Sequence, residues 1–229
     1  LKWNQDYGQA ALPTQNVATN QAAPAIPDTP LGNNASASAD VPSANGETSA
    51  PLETPVVTNK DLIHVKTDVL DLAIDPQGGD IAQLKLPLYP RRQDHPDVPF
   101  QLFDNGGERT YLAQSGLTGT NGPDARATGR PVYSTEQKTY QLADGQNQLN
   151  VDLKFSLDGV NYIKRFSFTR GLYDLKVTYL IDNTSDKAWS GNLFAQLKRD
   201  ASSDPSSSTA TGTATYLGAA LWTSNEPYK

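Results

Sequence analysis

Residues 148–182 read QLNVDLKFSLDGVNYIKRFSFTRGLYDLKVTYLID, and their period is two. Leu149, Val151, Leu153, Phe155 and Leu157 alternate with polar residues, as a half-buried strand requires. Asp158-Gly159 follows, a pair suited to a type I′ turn because both central positions need positive φ. The return strand puts Val160, Tyr162, Phe166 and Phe168 on one face, with Lys164 as the exception. Arg170-Gly171 marks the next turn. Leu175, Val177, Tyr179 and Ile181 then alternate again. Asn183-Thr184-Ser185-Asp186 is turn chemistry. Trp189, Gly191, Leu193, Ala195 and Leu197 form a further alternating set. Residues 148–198 therefore predict a four-stranded antiparallel meander.

Upstream the strand signal is more broken. Ile63, Val65, Thr67 and Val69 share one phase, while Leu70, Leu72 and Ile74 share the other. That slip predicts a bulge or a strand break. Gly78-Gly79 turns the chain, and Ile81, Leu84 and Leu86 begin the next element. Short strand candidates follow at 98–103, 109–113, 131–134 and 139–142. No segment sustains a 3.6 period, so the pattern predicts a mainly β sandwich.

Composition divides the 229-residue chain near residue 60. Residues 1–59 hold seven prolines, eleven alanines and two aromatics (Trp3 and Tyr7). They cannot bury enough apolar area to offset chain entropy, so 1–59 is predicted to be a disordered Pro/Ala-rich linker. A flexible coil of that length spans roughly 40–46 Å root-mean-square. Residues 60–229 are predicted to be the folded domain. The net charge of −6 argues against a nucleic-acid partner, which needs clustered cations. With no cysteine, disulfides and thiolate chemistry are excluded. No run of 18 apolar residues is present, so no membrane span is expected within the chain.

Few residues suggest chemistry. His64 and His95 are the only histidines. Asp94-His95-Pro96-Asp97 puts carboxylates around an imidazole, but without converging ligands it predicts a solvated loop rather than a metal site. Gly116, Gly119 and Gly122 are spaced like a phosphate loop. Pro123-Asp124 follows with no helical pattern, so a long surface loop with several positive-φ positions is expected instead. Lys164 and Arg165 are adjacent in a strand and should point to opposite faces. Asp68, Asp71, Asp75 and Asp80 offer carboxylates, but no spacing favours a catalytic pair. Neither a catalytic residue nor a cofactor is expected. Trp3 beside Leu1 and Lys2 suits a juxtamembrane position.

Several ordered words carry a resemblance. Leu62-Ile63-His64-Val65-Lys66-Thr67-Asp68 leads into Gly78-Gly79-Asp80-Ile81 and Leu86-Pro87-Leu88-Tyr89-Pro90. Ala113-Gln114-Ser115-Gly116-Leu117-Thr118-Gly119, Gly122-Pro123-Asp124 and Leu142-Ala143-Asp144-Gly145-Gln146-Asn147 follow. Arg170-Gly171-Leu172-Tyr173 and Gln196-Leu197-Lys198 complete the series. Together they resemble the large periplasmic domain of the Gram-negative YidC membrane protein insertases, best over residues 60–199. The resemblance implies a twisted antiparallel β-supersandwich, similar to mutarotase-like folds, with a short helical region near its C-terminal end. It implies a non-catalytic domain on the periplasmic face of the inner membrane. The implied partners are the Sec translocon's accessory subunits and, through the parent protein, nascent membrane proteins. Leu1-Lys2-Trp3 would lie just outside a first transmembrane helix. The family's insertion groove lies in helices outside this stretch, so no insertase residue transfers. The family domain continues past the point matching Lys229, so the sandwich here is expected to lack its last part. The C-terminal apolar residues Tyr216, Leu217, Trp222 and Tyr228 are the candidate partner surface. A carbohydrate-binding or carbohydrate-modifying sandwich is the alternative, and a structural spacer is a third reading.

Overall fold

A computed structural model describes residues 62–105 and 109–202. They form ten strands and one turn of 3₁₀ helix. The first phase slip is a strand break: β1 (Ile63–Lys66) ends, and β2 (Asp71–Asp75) returns antiparallel beside it. Thr67 makes the corner, its hydroxyl accepting from the amides of Val69 and Leu70. Gly78 and Gly79, both at positive φ, turn the chain into β3 (Asp80–Arg92). Then come β4 (His95–Asn105), β5 (Thr110–Thr118), the 3₁₀ turn (Pro123–Ala125) and β6 (Thr139–Gln141). The last four strands are β7 (Gln148–Leu157), β8 (Val160–Thr169), β9 (Leu175–Asn183) and β10 (Asn192–Arg199).

Two sheets result. The larger runs β10-β5-β4-β3-β2-β1-β6, and the smaller runs β7-β8-β9. The β6–β1 pairing is parallel, and the other pairings are antiparallel. The inner faces meet in a core of Ile63, Val65, Leu72, Ile74, Ile81 and Leu84 against Val151, Leu153, Phe166 and Phe168. Burial of such side chains is the main stabilising term, at roughly 1.5–3 kcal/mol for each large one. The expected β-sandwich is therefore the fold observed.

The predicted four-stranded meander is corrected to three strands. Asp158 and Gly159 make the β7–β8 turn with φ of 50° and 78°, as their sequence required. Beyond β9, however, the chain crosses to the other sheet, and β10 pairs with β5 from Asn192↔Thr118 to Arg199↔Tyr111. Trp189 belongs to the crossover. Its indole donates to the Tyr162 hydroxyl at 2.9 Å, and it packs with Leu117 and Val160.

In the outer half of the β3–β4 hairpin, residues 87–98 are exposed. Pro87, Pro90, Pro96 and Pro99 remove donors along this ribbon and protect its edges from further pairing. His95 lies here, exposed, with Arg92 bonded to Asp94 beside it. The linker expected at 1–59 and the helical region expected near the C-terminus lie outside the described residues.

Candidate functional site: an apolar cleft over a buried charge cluster

A cleft of about 830 Å³ opens between the two sheets. Ile81, Leu84, Phe103, Phe166, Leu175 and Val177 make much of its wall. Leu193 and Leu197 of β10 also line it while remaining 67% and 64% exposed. Tyr89 and Tyr173 line it too, with their rings edge-to-face at 5.7 Å. Its few polar side chains are already engaged. Gln196 donates to the Gln114 carbonyl oxygen at 2.8 Å, and Gln114 donates to Asp80 at 2.8 Å. The hydroxyls of Ser115 and Tyr179 are 3.2 Å apart.

Beneath this floor lies a buried cluster of Asp80, Asp124, Arg130 and Lys164. Arg130 bridges both carboxylates, through Nε to Asp124 at 2.8 Å and through Nη1 to Asp80. Asp124 is wholly buried and also accepts from the Leu117 amide at 2.8 Å. Burial works against the Arg130 charge, but Asp80 and Asp124 outweigh it and hold the guanidinium charged. The Phe194 ring of β10 lies 5.8 Å from the guanidinium. Tyr133 and Tyr179 have their hydroxyls pushed well above the usual range, chiefly by burial.

Lys164 reaches this cluster from the small sheet and is wholly buried. Its Nζ donates to the carbonyls of Gly78 at 3.0 Å and Ser115 at 2.8 Å. Burial pushes its pKa down to about 7. Its neighbour Arg165 points the opposite way and pairs with Asp152 at 2.6 Å, as strand alternation predicts.

Glycines make room for these groups. A Cβ at Gly78 would stand 2.3 Å from the Arg130 guanidinium carbon, and one at Gly116 would stand 2.5 Å from the Asp124 carboxyl. This corrects the reading of Gly116–Gly122 as a surface loop. Only Gly119 of the three has positive φ. Gly116 lies in β5, and the chain after Gly122 turns inward to seat Asp124. Sequence reasoning singled out no role for Arg130. The available signal was its partner in the cluster: Lys164, a cation on an otherwise apolar strand face. Asp68 and Asp75 stand apart from the cluster, accepting the amides of Gly171 and Gln77. Among the described residues, no group of His and carboxylates is arranged to hold a metal, and no helix is long and apolar enough to cross a membrane. Tyr216, Leu217, Trp222 and Tyr228 lie outside the described residues.

These features define a class first: a two-layer, mainly antiparallel β-sandwich with an apolar cleft lying over a charge-paired interior. Residues 62–229 match the model of the YidC periplasmic domain family, and the chain belongs to that family. It is 99% identical over its whole length to a protein named membrane protein insertase YidC from Pseudomonas fluorescens (strain SBW25). It is 79% identical over its whole length to the protein of that name from Pseudomonas syringae pv. tomato. The chain spans 41% of the length of each of these relatives. The comparisons support the insertase-associated reading and not the carbohydrate alternative.

Proposed function

We propose that this chain is a non-catalytic docking module on the periplasmic face of the bacterial inner membrane. It works as part of an insertase that assists the insertion and folding of inner-membrane proteins. Its direct partners are accessory subunits of the Sec translocon, and nascent membrane proteins are met through the parent protein. The observation that carries this reading is the cleft, which is apolar, open, and lined by polar groups already bonded to one another. Such a surface suits the binding of an apolar protein segment better than the activation of a substrate. In this reading residues 1–59 serve as the tether to the bilayer. Tyr216, Leu217, Trp222 and Tyr228 remain candidates for a second contact.

The test uses the full-length insertase carrying Leu193→Glu and Leu197→Glu. Both side chains are largely exposed and both line the cleft, so the fold should survive. Co-purification of the translocon accessory subunits should fall sharply. Unchanged co-purification would overturn docking at the cleft.

A further inference from the structure

The two sheets are unequal where they meet the cleft. The large sheet ends in β10, and the small sheet ends in β9. On β10, Leu193, Ala195 and Leu197 stand directly opposite Leu117, Ser115 and Ala113 of β5. Opposite residues of an antiparallel pair share a face. Leu117 packs on Val160 and Tyr162 of the small sheet, and Ser115 meets Tyr179. The three β10 side chains therefore face the layer of the small sheet, yet Leu193 and Leu197 are largely exposed. Among the described residues the small sheet stops at β9 and leaves them uncovered.

The edge at which the small sheet stops is long and regular. β9 pairs with β8 from Val160↔Asn183 to Phe168↔Leu175 without a bulge, and it contains no proline. At the turn end of that ladder the Thr184 amide donates to the Gly159 carbonyl. Backbone direction alternates along an antiparallel strand, so Lys176, Thr178, Leu180 and Asp182 also point their amides and carbonyls at β8. Leu175, Val177, Tyr179 and Ile181 point theirs the other way, to the open edge. An edge of this kind is a template for another strand. A strand added there becomes the fourth of the small sheet. Stacked sheets lie about 10 Å apart, so its inward side chains meet Leu193 and Leu197. A strand added to β10 instead would extend the large sheet and leave this face uncovered.

We propose that the docking partner binds as an added β-strand: its backbone pairs with the free edge of β9, and its alternate apolar side chains fill the cleft against Leu193 and Leu197. This names the mode of docking, and it rests on the docking reading for the partner being a protein segment. The chemistry of the cleft selects an uncharged, extended segment. Among the described residues no charged side chain lines the cleft. Gln114, Gln196, Ser115 and Tyr179 are engaged with one another or with Asp80. A charged side chain on the partner would enter without a counter-charge. Main-chain hydrogen bonds to Val177 and Tyr179 supply affinity, and the alternate apolar positions supply selectivity.

The test adds the capped peptide Thr-Leu-Thr-Val-Thr-Leu-Thr to the full 229-residue chain, isotope-labelled and followed by NMR. Hydrogen exchange at the Val177 and Tyr179 amides should slow several-fold, and the methyl signals of Leu193 and Leu197 should shift. Two further peptides carry N-methyl groups, one on its Leu and Val amides and the other on its Thr amides. An added strand turns only one of these sets toward β9. One methylated peptide should therefore lose about tenfold or more in affinity, while the other binds like the parent. Equal affinity of all three peptides would overturn strand addition, and so would a parent peptide that leaves Val177 and Tyr179 unchanged. Exchange at these amides that is already slow without peptide would overturn it too. A dependence of that slow exchange on protein concentration would assign the edge to a second copy, and independence would assign it to this chain's own residues. None of these measurements contains a translocon subunit. Failure of docking alone would leave the peptide results intact and show only as unchanged co-purification with the Leu193→Glu, Leu197→Glu insertase.

Discussion

Strands β8 and β10 carry similar alternating patterns, yet the sandwich uses them differently. In β8 the apolar set faces inward: Tyr162, Phe166 and Phe168 are 2%, 1% and 1% exposed. In β10 the apolar set Leu193, Ala195 and Leu197 stays largely exposed, and Phe194 and Gln196 take the more buried positions. The β8 face lies between its neighbours β7 and β9 and against the large sheet. The β10 face lies along the cleft. Alternation reports that a strand has two unlike faces. It does not report which sheet the strand joins, or whether its apolar face closes a core or lines an opening.

The comparison can be broken most forcefully on the β8 side. Phe166→Ala should cost about 3–5 kcal/mol of unfolding free energy, the usual range for a deleted core aromatic. Chemical denaturation would show it as a lowered midpoint with a similar slope. Arg130→Ala should cost a similar amount, about 3–5 kcal/mol, by leaving Asp80 and Asp124 buried without their shared cation. A loss under about 1 kcal/mol would mean that water or a rearrangement reaches these carboxylates.

Lys164 sharpens the same side through pH. Its folded pKa is lowered from the ordinary 10.5 to about 7. Between those values the unfolded chain holds a proton that the folded chain has released. Falling pH therefore favours unfolding across that window, and the effect is complete below pH 7. Stability should rise by up to about 1.4 kcal/mol per pH unit from neutral pH toward pH 10. Lys164→Met should remove this slope, as read from denaturation midpoints across that range.

On the β10 side the expected effect on stability is smallest. Leu197→Gln should change unfolding free energy by less than about 0.5 kcal/mol, because the side chain is already largely in water. A loss of several kcal/mol would show that β10 buries this face after all, and would erase the contrast with β8.

Local chemistry was legible in the residues. Asp158-Gly159 and Gly78-Gly79 named their turns, because positive φ is a property of those residues and their immediate neighbours. The slip at Val69-Leu70 named a corner for the same reason, since one residue of shift moves every side chain to the other face. The turn at Asn183 was also local, its side chain accepting the Ser185 amide at 3.1 Å. Lys164 stood out as a cation on an apolar strand face, but nothing local said what it served.

The amino-acid sequence by itself determined the strands of the small sheet, most of their turns and the family to which the chain belongs. Tertiary structure alone decided that β10 leaves the meander, that Asp124 turns inward, and that Arg130 joins the nearby Asp124 to Asp80, fifty residues back in the chain. Those outcomes depend on partners separated by tens of residues, such as Asn192 with Thr118 or Arg130 with Asp80. No local pattern encodes such partners. They are selected when the two sheets close and each buried charge must find its counter-charge.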